Sequence, residues 1–192
     1  MVICQEFGNV SSFIVVHLSY NNFTGHLPPQ VCKGGKLVNF TAAYNGLSGP
    51  IPPSLRNCSS LCRVQLQNNQ LTGYADQDFG VHPNLTYVDI SFNRVQGDLS
   101  ANWGACQSLE ALIMAGNSIG GNIPAEIFQL KKLQKLDLSS YQIFRGIPPQ
   151  IRNASILYLL KLNRNNISGI VLGKDLLEKF TTWSCKEVNN LP

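Results

Sequence analysis

Leucine, asparagine and glycine recur in this chain at one fixed interval, and nothing else in the sequence narrows its fold as far. Taking Leu37 as position 1 of a unit, the same position at steps of 24 residues reads Phe13, Leu37, Leu61, Leu85, Leu109, Leu133 and Leu157. Position 4 reads Val16, Phe40, Val64, Val88, Leu112, Leu136 and Leu160, and position 6 reads Leu18, Ala42, Leu66, Ile90, Met114, Leu138 and Leu162. Apolar residues alternating over so short a stretch describe a strand with one face buried. Position 9 is Asn21, Asn45, Asn69, Asn93, Asn117 and Asn165. There the chain must turn out of the strand, and an amide, both donor and acceptor, can satisfy the backbone groups left unpaired. Position 13 is glycine (Gly25, Gly49, Gly73, Gly97, Gly121, Gly169), followed at position 15 by an apolar residue and often by proline, which bends the chain back along the outer side.

Six complete units span residues 13–156, and a period of this size means stacked supersecondary elements. The pattern is the leucine-rich repeat, L-x-x-L-x-L-x-x-N-x-L, and the trailing G-x-I-P at 49–52 and 121–124 matches its plant-type form. The expected fold is an α/β solenoid, a right-handed superhelix of 24-residue units with a parallel β-sheet on its concave face. Six apolar side chains return less than the entropy of ordering the unit that carries them, so the units must stack and share one linear core. With 192 residues there is room for one such body, expected over 1–172. Residues 173–192 (DLLEKF within them) fit no unit and are expected to form a divergent tail, helical or irregular. Residues 3–12 already fit positions 15–24, so the chain opens in mid-unit and reads as a piece of a longer solenoid without caps.

Three units depart from the pattern. Those at 61–84 and 85–108 replace the I-P ending with GYAD and GDLS. Trp103 stands at position 19, elsewhere Val31, Leu55, Phe79, Ile127 and Ile151, and is read as packing. In the unit 133–156, Tyr141 replaces the asparagine and Arg145 the glycine. A phenol cannot reproduce the amide's paired donor and acceptor, so a local bulge is expected over 141–146. The six cysteines (Cys4, Cys32, Cys58, Cys62, Cys106, Cys185) lack the paired spacing of a secreted framework. Cys58 and Cys106 share position 22 and are expected as free buried thiols, a Cys58 to Cys62 bridge being the alternative.

The net charge of +4 is scattered, with no basic run interleaved with aromatics, which argues against nucleic acid. Lys131, Lys132 and Lys135 read as a solvated face. No apolar run reaches the roughly 18 residues of a membrane helix, and no leader precedes Gln5 and Glu6, as expected of a cytosolic protein or a fragment. Asp78, Phe79 and Gly80 spell a kinase metal-binding triplet without any of its partner motifs, and Phe79 belongs to a core position. No nucleophile, metal or phosphate motif stands out, so neither catalysis nor a cofactor is expected. What remains is the concave surface. Tyr20, Tyr44 and Phe92 fall at position 8, Gln65 and Asp89 at position 5, Arg63 and Tyr87 at position 3, and Arg94 at position 10. Aromatic and arginine side chains side by side on a solvent face resemble interface hot spots. Seven N-x-S/T sequons (Asn9, Asn22, Asn39, Asn57, Asn84, Asn153, Asn166) suggest secretion, although the repeat pattern itself generates most of them.

The run 32–112 also resembles plant leucine-rich-repeat receptor-like kinases, in particular the male-discoverer-interacting receptor-like kinase clade. The cues are the opening C-x-G-G-x-L-x-N-F-T-A at 32–42, D-F-G-V-x-P-N-L at 78–85 and N-W-G-x-C at 102–106. The resemblance implies a plasma-membrane receptor whose extracellular solenoid perceives a secreted peptide together with a co-receptor. One membrane helix would join it to a cytoplasmic Ser/Thr kinase lying outside this segment. The rival expectations are a secreted leucine-rich-repeat inhibitor of a pathogen cell-wall-degrading enzyme and a non-functional truncated receptor product.

Overall fold

The computed structural model describes residues 1–7, 12–140 and 142–168, together with the strand Thr182–Ser184. Strands Val15–His17, Asn39–Thr41, Arg63–Gln65, Tyr87–Asp89, Ala111–Ile113, Lys135–Asp137 and Leu159–Lys161 lie in chain order in one parallel sheet, and Thr182–Ser184 adds an eighth strand. Pairing advances by one whole unit per strand: Val16 faces Phe40, Phe40 faces Val64, Val64 faces Val88, and so on to Leu136 against Leu160. Each strand is only three residues long because its middle residue, position 4, is buried while positions 3 and 5 point to the concave side. This is the stacked parallel architecture of a leucine-rich-repeat solenoid. The rest of 173–192 lies outside the described residues.

The core is a column along the stack rather than a central cluster. Leu37, Leu61, Leu85, Leu109, Leu133 and Leu157 are all buried, as are the residues of position 4. Trp103 is 2% exposed, its ring 5.3 Å from that of Phe79, so bulk at position 19 fills the core as the sequence indicated. On the outer side the chain makes only short turns of helix, Pro53–Arg56, Ala101–Ala105, Ala125–Gln129 and Pro149–Asn153. Proline at or just before the first turn in three of them fixes the entry backbone.

Between the concave strands and the outer turns the chain forms a second, lateral set of strands. Thr24–His26, Gly46–Pro50 and Gln70–Thr72 make one parallel sheet; Gln96–Asp98, Ser118–Gly121 and Gln142–Ile143 make another. A single bridge, Tyr74 with Gln96, spans the gap. That gap is where GYAD replaces the usual ending. The Tyr74 N–H donates to the Asp78 carboxylate at 2.6 Å, folding the chain into a local turn instead of a strand.

Two expectations are corrected. Cys58 is bonded to Cys32 in a disulfide with Cα atoms 6.0 Å apart, whereas Cys106 is a free buried thiol and Cys62 is free. Cys32 stands at position 20 of one unit and Cys58 at position 22 of the next, so stacking brings together residues that a comparison of like positions keeps apart. Cys185 lies outside the described residues. The bulge expected over 141–146 is not found at Gln142 to Phe144: Gln142 and Ile143 pair with Gly120 and Gly121, and Phe144 pairs with Asn166, in ordinary register. Tyr141 itself lies outside the described residues. The Ile143 N–H finds the Asn165 side-chain oxygen at 3.1 Å, and Arg145 takes φ 78°, the left-handed conformation that glycine takes at Gly25, Gly49 and Gly121. That bond is the ordinary ladder bond, the same that Leu71 makes to Asn93 and Val95 to Asn117, so the residue at 141 does not enter it.

Loss of the disulfide in Cys58→Ser releases a loop 26 residues apart in sequence and should cost about 3 kcal/mol by chain entropy, read as a lower urea midpoint than the oxidised wild type. Arg145→Gly should raise stability by about 1 kcal/mol in the same assay, because a left-handed non-glycine residue carries a penalty of that order.

Candidate binding surface on the concave face

The surface begins with the ladder that ends each strand. Asn93 donates to the carbonyls of Ile90 and Ser91 in its own turn at 3.0 and 3.2 Å and of Leu66 in the preceding unit at 3.0 Å. Its oxygen accepts the Leu71 N–H at 2.9 Å. Asn45, Asn69, Asn117 and Asn165 bond likewise across the unit boundary; Asn21 bonds within its own turn, to Leu18 and Ser19. The residue before the ladder position has a left-handed backbone in every unit, including Ser140, which precedes a tyrosine in the sequence. Tyr20, Tyr44, Asn68, Phe92, Gly116, Ser140 and Arg164, the whole of position 8, have φ between 54° and 68°. Asn68 and Gly116, residues that tolerate the conformation, are its only signs in the sequence.

That backbone turns position 8 outward. Tyr20 is 76% exposed and Phe92 58%, and the Tyr20 and Tyr44 rings stack at 4.5 Å between centroids. Gly116 leaves room beside Phe92: a Cβ there would stand 2.7 Å from the ring. On the strands, Arg63 and Tyr87 are cross-strand partners, and the guanidinium lies 4.5 Å over the Tyr87 ring. Gln65 pairs in register with Thr41 on one side and Asp89 on the other. Arg94 lies just past the ladder, its N–H donating to Leu71 O at 2.8 Å, and it is exposed there rather than on a concave strand.

Asp89 is 8% exposed. One carboxylate oxygen accepts from the Ser91 N–H at 3.0 Å and the Ser91 hydroxyl at 2.6 Å. Burial pushes its carboxyl above the ordinary range, against the pull of the Ser91 bonds, and the Asp137 charge adds to the rise. Burial also raises the Tyr87 phenol, helped by Asp89 and opposed by Arg63. Asp137 repeats the motif, bonded to Ser139 through N–H at 3.1 Å and hydroxyl at 2.7 Å. Its second oxygen meets the Lys161 ammonium at 3.4 Å. Ser91 and Ser139 are contributors that sequence reasoning missed; the D-x-S spacing at 89–91 and 137–139 is the signal that could have found them.

Of the sequons, Asn22, Asn57, Asn84, Asn153 and Asn166 are exposed, and Asn39 is half-buried on a concave strand beside Arg63; Asn9 lies outside the described residues. No group of three or more metal-ligating side chains occurs among the described residues, and no helix among them is long and apolar enough to cross a membrane.

The family description Leucine Rich Repeat matches residues 12–33. Among solved structures, the chain is similar to PEPR1 in its structure with AtPEP1, at 28% identity and TM-score 0.88, over 97% of this chain and 26% of that one. It is similar to the plant peptide hormone receptor RGFR1 in complex with RGF2, at 31% identity and TM-score 0.84, over 93% and 28%. A third likeness is the Arabidopsis receptor kinase HAESA in complex with the peptide hormone IDA and the co-receptor SERK1, at 31% identity and TM-score 0.69, over 88% and 33%. The chain thus spans about a quarter to a third of the length of these structures. No curated protein sequence matches it. The chain is a leucine-rich-repeat solenoid. The solved structures it resembles are those of plant leucine-rich-repeat receptors.

The raised Asp89 carboxyl has a consequence for stability. Where the folded value lies above the unfolded one, the native state holds the proton more tightly, and stability falls as pH rises from the ordinary carboxylate range through the raised value. Asp89→Asn lacks that loss, so its stability relative to wild type should improve between pH 3.5 and pH 7 in urea titrations; an unchanged difference would contradict the assignment.

Proposed function

We propose that this solenoid is a ligand-binding segment of the extracellular domain of a plant receptor-like kinase, taking a secreted peptide or a co-receptor ectodomain on its concave face. The observation that carries this reading is the row of aromatic and cationic side chains on this face: stacked Tyr20 and Tyr44 and exposed Phe92 at the ends of the strands, and Arg63 over Tyr87 on the strands themselves. Such rigid, partly desolvated groups supply most of the energy of peptide interfaces. The similar structures that carry peptide hormones, RGF2 on RGFR1 and IDA on HAESA, support the ligand class. A disulfide between Cys32 and Cys58 and exposed sequons suit the outer side of the plasma membrane and a glycosylated surface. The cues at 32–42, 78–85 and 102–106 support the male-discoverer-interacting receptor-like kinase clade as the nearer relation. The membrane helix and the Ser/Thr kinase would belong to the parent receptor, and this segment does no catalysis.

The test uses a random 12-residue peptide library displayed on phage and selected on the purified, oxidised chain. Peptides so obtained should bind Tyr87→Ala and Arg63→Ala about tenfold more weakly than wild type, the cost of about 1.4 kcal/mol expected of a hot-spot truncation. Affinities indifferent to both substitutions would move the binding surface elsewhere.

A further inference from the structure

The two D-x-S motifs of the concave face differ in one respect. Asp137 and Asp89 occupy the same position of units two apart, and each gives one oxygen to the N–H and hydroxyl of the serine two residues on. For Asp137 the next strand supplies Lys161, in register, as counter-cation. For Asp89 the next strand supplies Ile113. Among the described residues Asp89 has no ion-pair partner, although it is 8% exposed and carries no proton to spare once ionised. Arg63, on the paired preceding strand, is laid over the Tyr87 ring at 4.5 Å instead.

A carboxylate taken so far out of water is costly unless a cation meets it. A second unmet acceptor stands one unit back: the Gln67 side-chain oxygen is buried with no hydrogen-bond partner among the described residues. Gln67 occupies the position across from Ser91, since the Asn68 N–H that follows it donates to the Ser91 carbonyl at 2.9 Å. The face therefore presents a buried carboxylate, an unpaired amide oxygen in the adjacent unit and, two residues along the strand from Asp89, the ring of Tyr87, one face of which already carries the Arg63 guanidinium. Acceptors beside a π-face are the surroundings that a guanidinium or ammonium requires. Arginine, with five donors in a planar fork, suits two acceptors in neighbouring units better than lysine, a point charge.

We propose that Asp89, with Gln67 and Tyr87 beside it, is a specificity-determining subsite that takes a basic side chain, arginine above lysine, of the peptide ligand. The inference rests on the concave face being the peptide surface. It assigns to the ligand the counter-cation that Lys161 provides for Asp137 within the chain.

Phage selection of the 12-residue library on wild type, Asp89→Asn and Asp137→Asn tests it. Asparagine at 89 keeps an oxygen for the Ser91 bonds and so preserves the local fold, which circular dichroism verifies. Binders of wild type and of Asp137→Asn should be enriched in arginine at one position, and that enrichment should vanish on Asp89→Asn. Replacing that arginine by citrulline in the best peptide should weaken binding to wild type at least tenfold and leave binding to Asp89→Asn unchanged. Peptides that depend on Tyr87 yet show no basic preference, or the same preference on Asp89→Asn, would overturn this subsite and leave the concave face as the binding surface. If the selected peptides are indifferent to both Tyr87→Ala and Arg63→Ala, the concave face is not the binding surface and the subsite falls with it.

Discussion

An asparagine side chain that bonds two successive turns of backbone at once holds this solenoid in register. At Asn93 a single amide reaches carbonyls in two units and an N–H at the head of the lateral strand, groups that would each cost about 1 to 3 kcal/mol if buried unmet. The ladder fixes where the concave strand stops, and with it why three residues suffice for each strand. A left-handed residue stands just before it in every unit, and that backbone turns the side chains of position 8 out into solvent. Core, ladder and display surface are thus three consequences of one spacing.

The repeating positions made the core and the ladder legible, because burial at positions 1, 4 and 6 recurs wherever the unit recurs. Comparison of like with like has a blind side. The bond between Cys32 and Cys58 joins unlike positions of neighbouring units, and no amount of column reading brings 20 next to 22. The left-handed residue at position 8 was hidden for another reason: Tyr20, Tyr44 and Phe92 are poor hosts for that backbone, and only Asn68 and Gly116 betray it. At the irregular unit, the Ile143 N–H keeps its ordinary ladder acceptor because that acceptor is Asn165 of the next unit and not the residue at 141. The candidate surface was legible as a set of residues and not as an arrangement. Which aromatic stacks on which, and which carboxylate already owns a cation, depends on strand pairing that places Arg63 by Tyr87 and Lys161 by Asp137.

Fold and recognition are separable in this design. Positions that build the solenoid are apolar or amide and nearly invariant from unit to unit, while positions 3, 5 and 8 vary freely: Asp89 is followed across the sheet by Ile113 and then Asp137. A solenoid built this way can change its concave surface without touching what keeps it folded. The neighbourhood 73–78 marks the one described place where the lateral side is interrupted, with a single bridge between Tyr74 and Gln96 in place of a strand. The concave pairing runs through that interruption without a break, from Arg63 against Tyr87 to Tyr87 against Ala111.

The disulfide has a consequence for how such a stack assembles. In a linear array, stability is close to a sum of unit terms and of interfaces between neighbours, and ordering spreads from whichever unit forms first. Cys32 and Cys58 clamp two adjacent units, while the strained Arg145 weakens another unit further along the stack. The free-energy landscape is therefore tilted along the long axis. Once oxidised, the clamped pair resists opening as one block, whereas the unit carrying Arg145 opens at lower cost, so local unfolding is uneven along the stack.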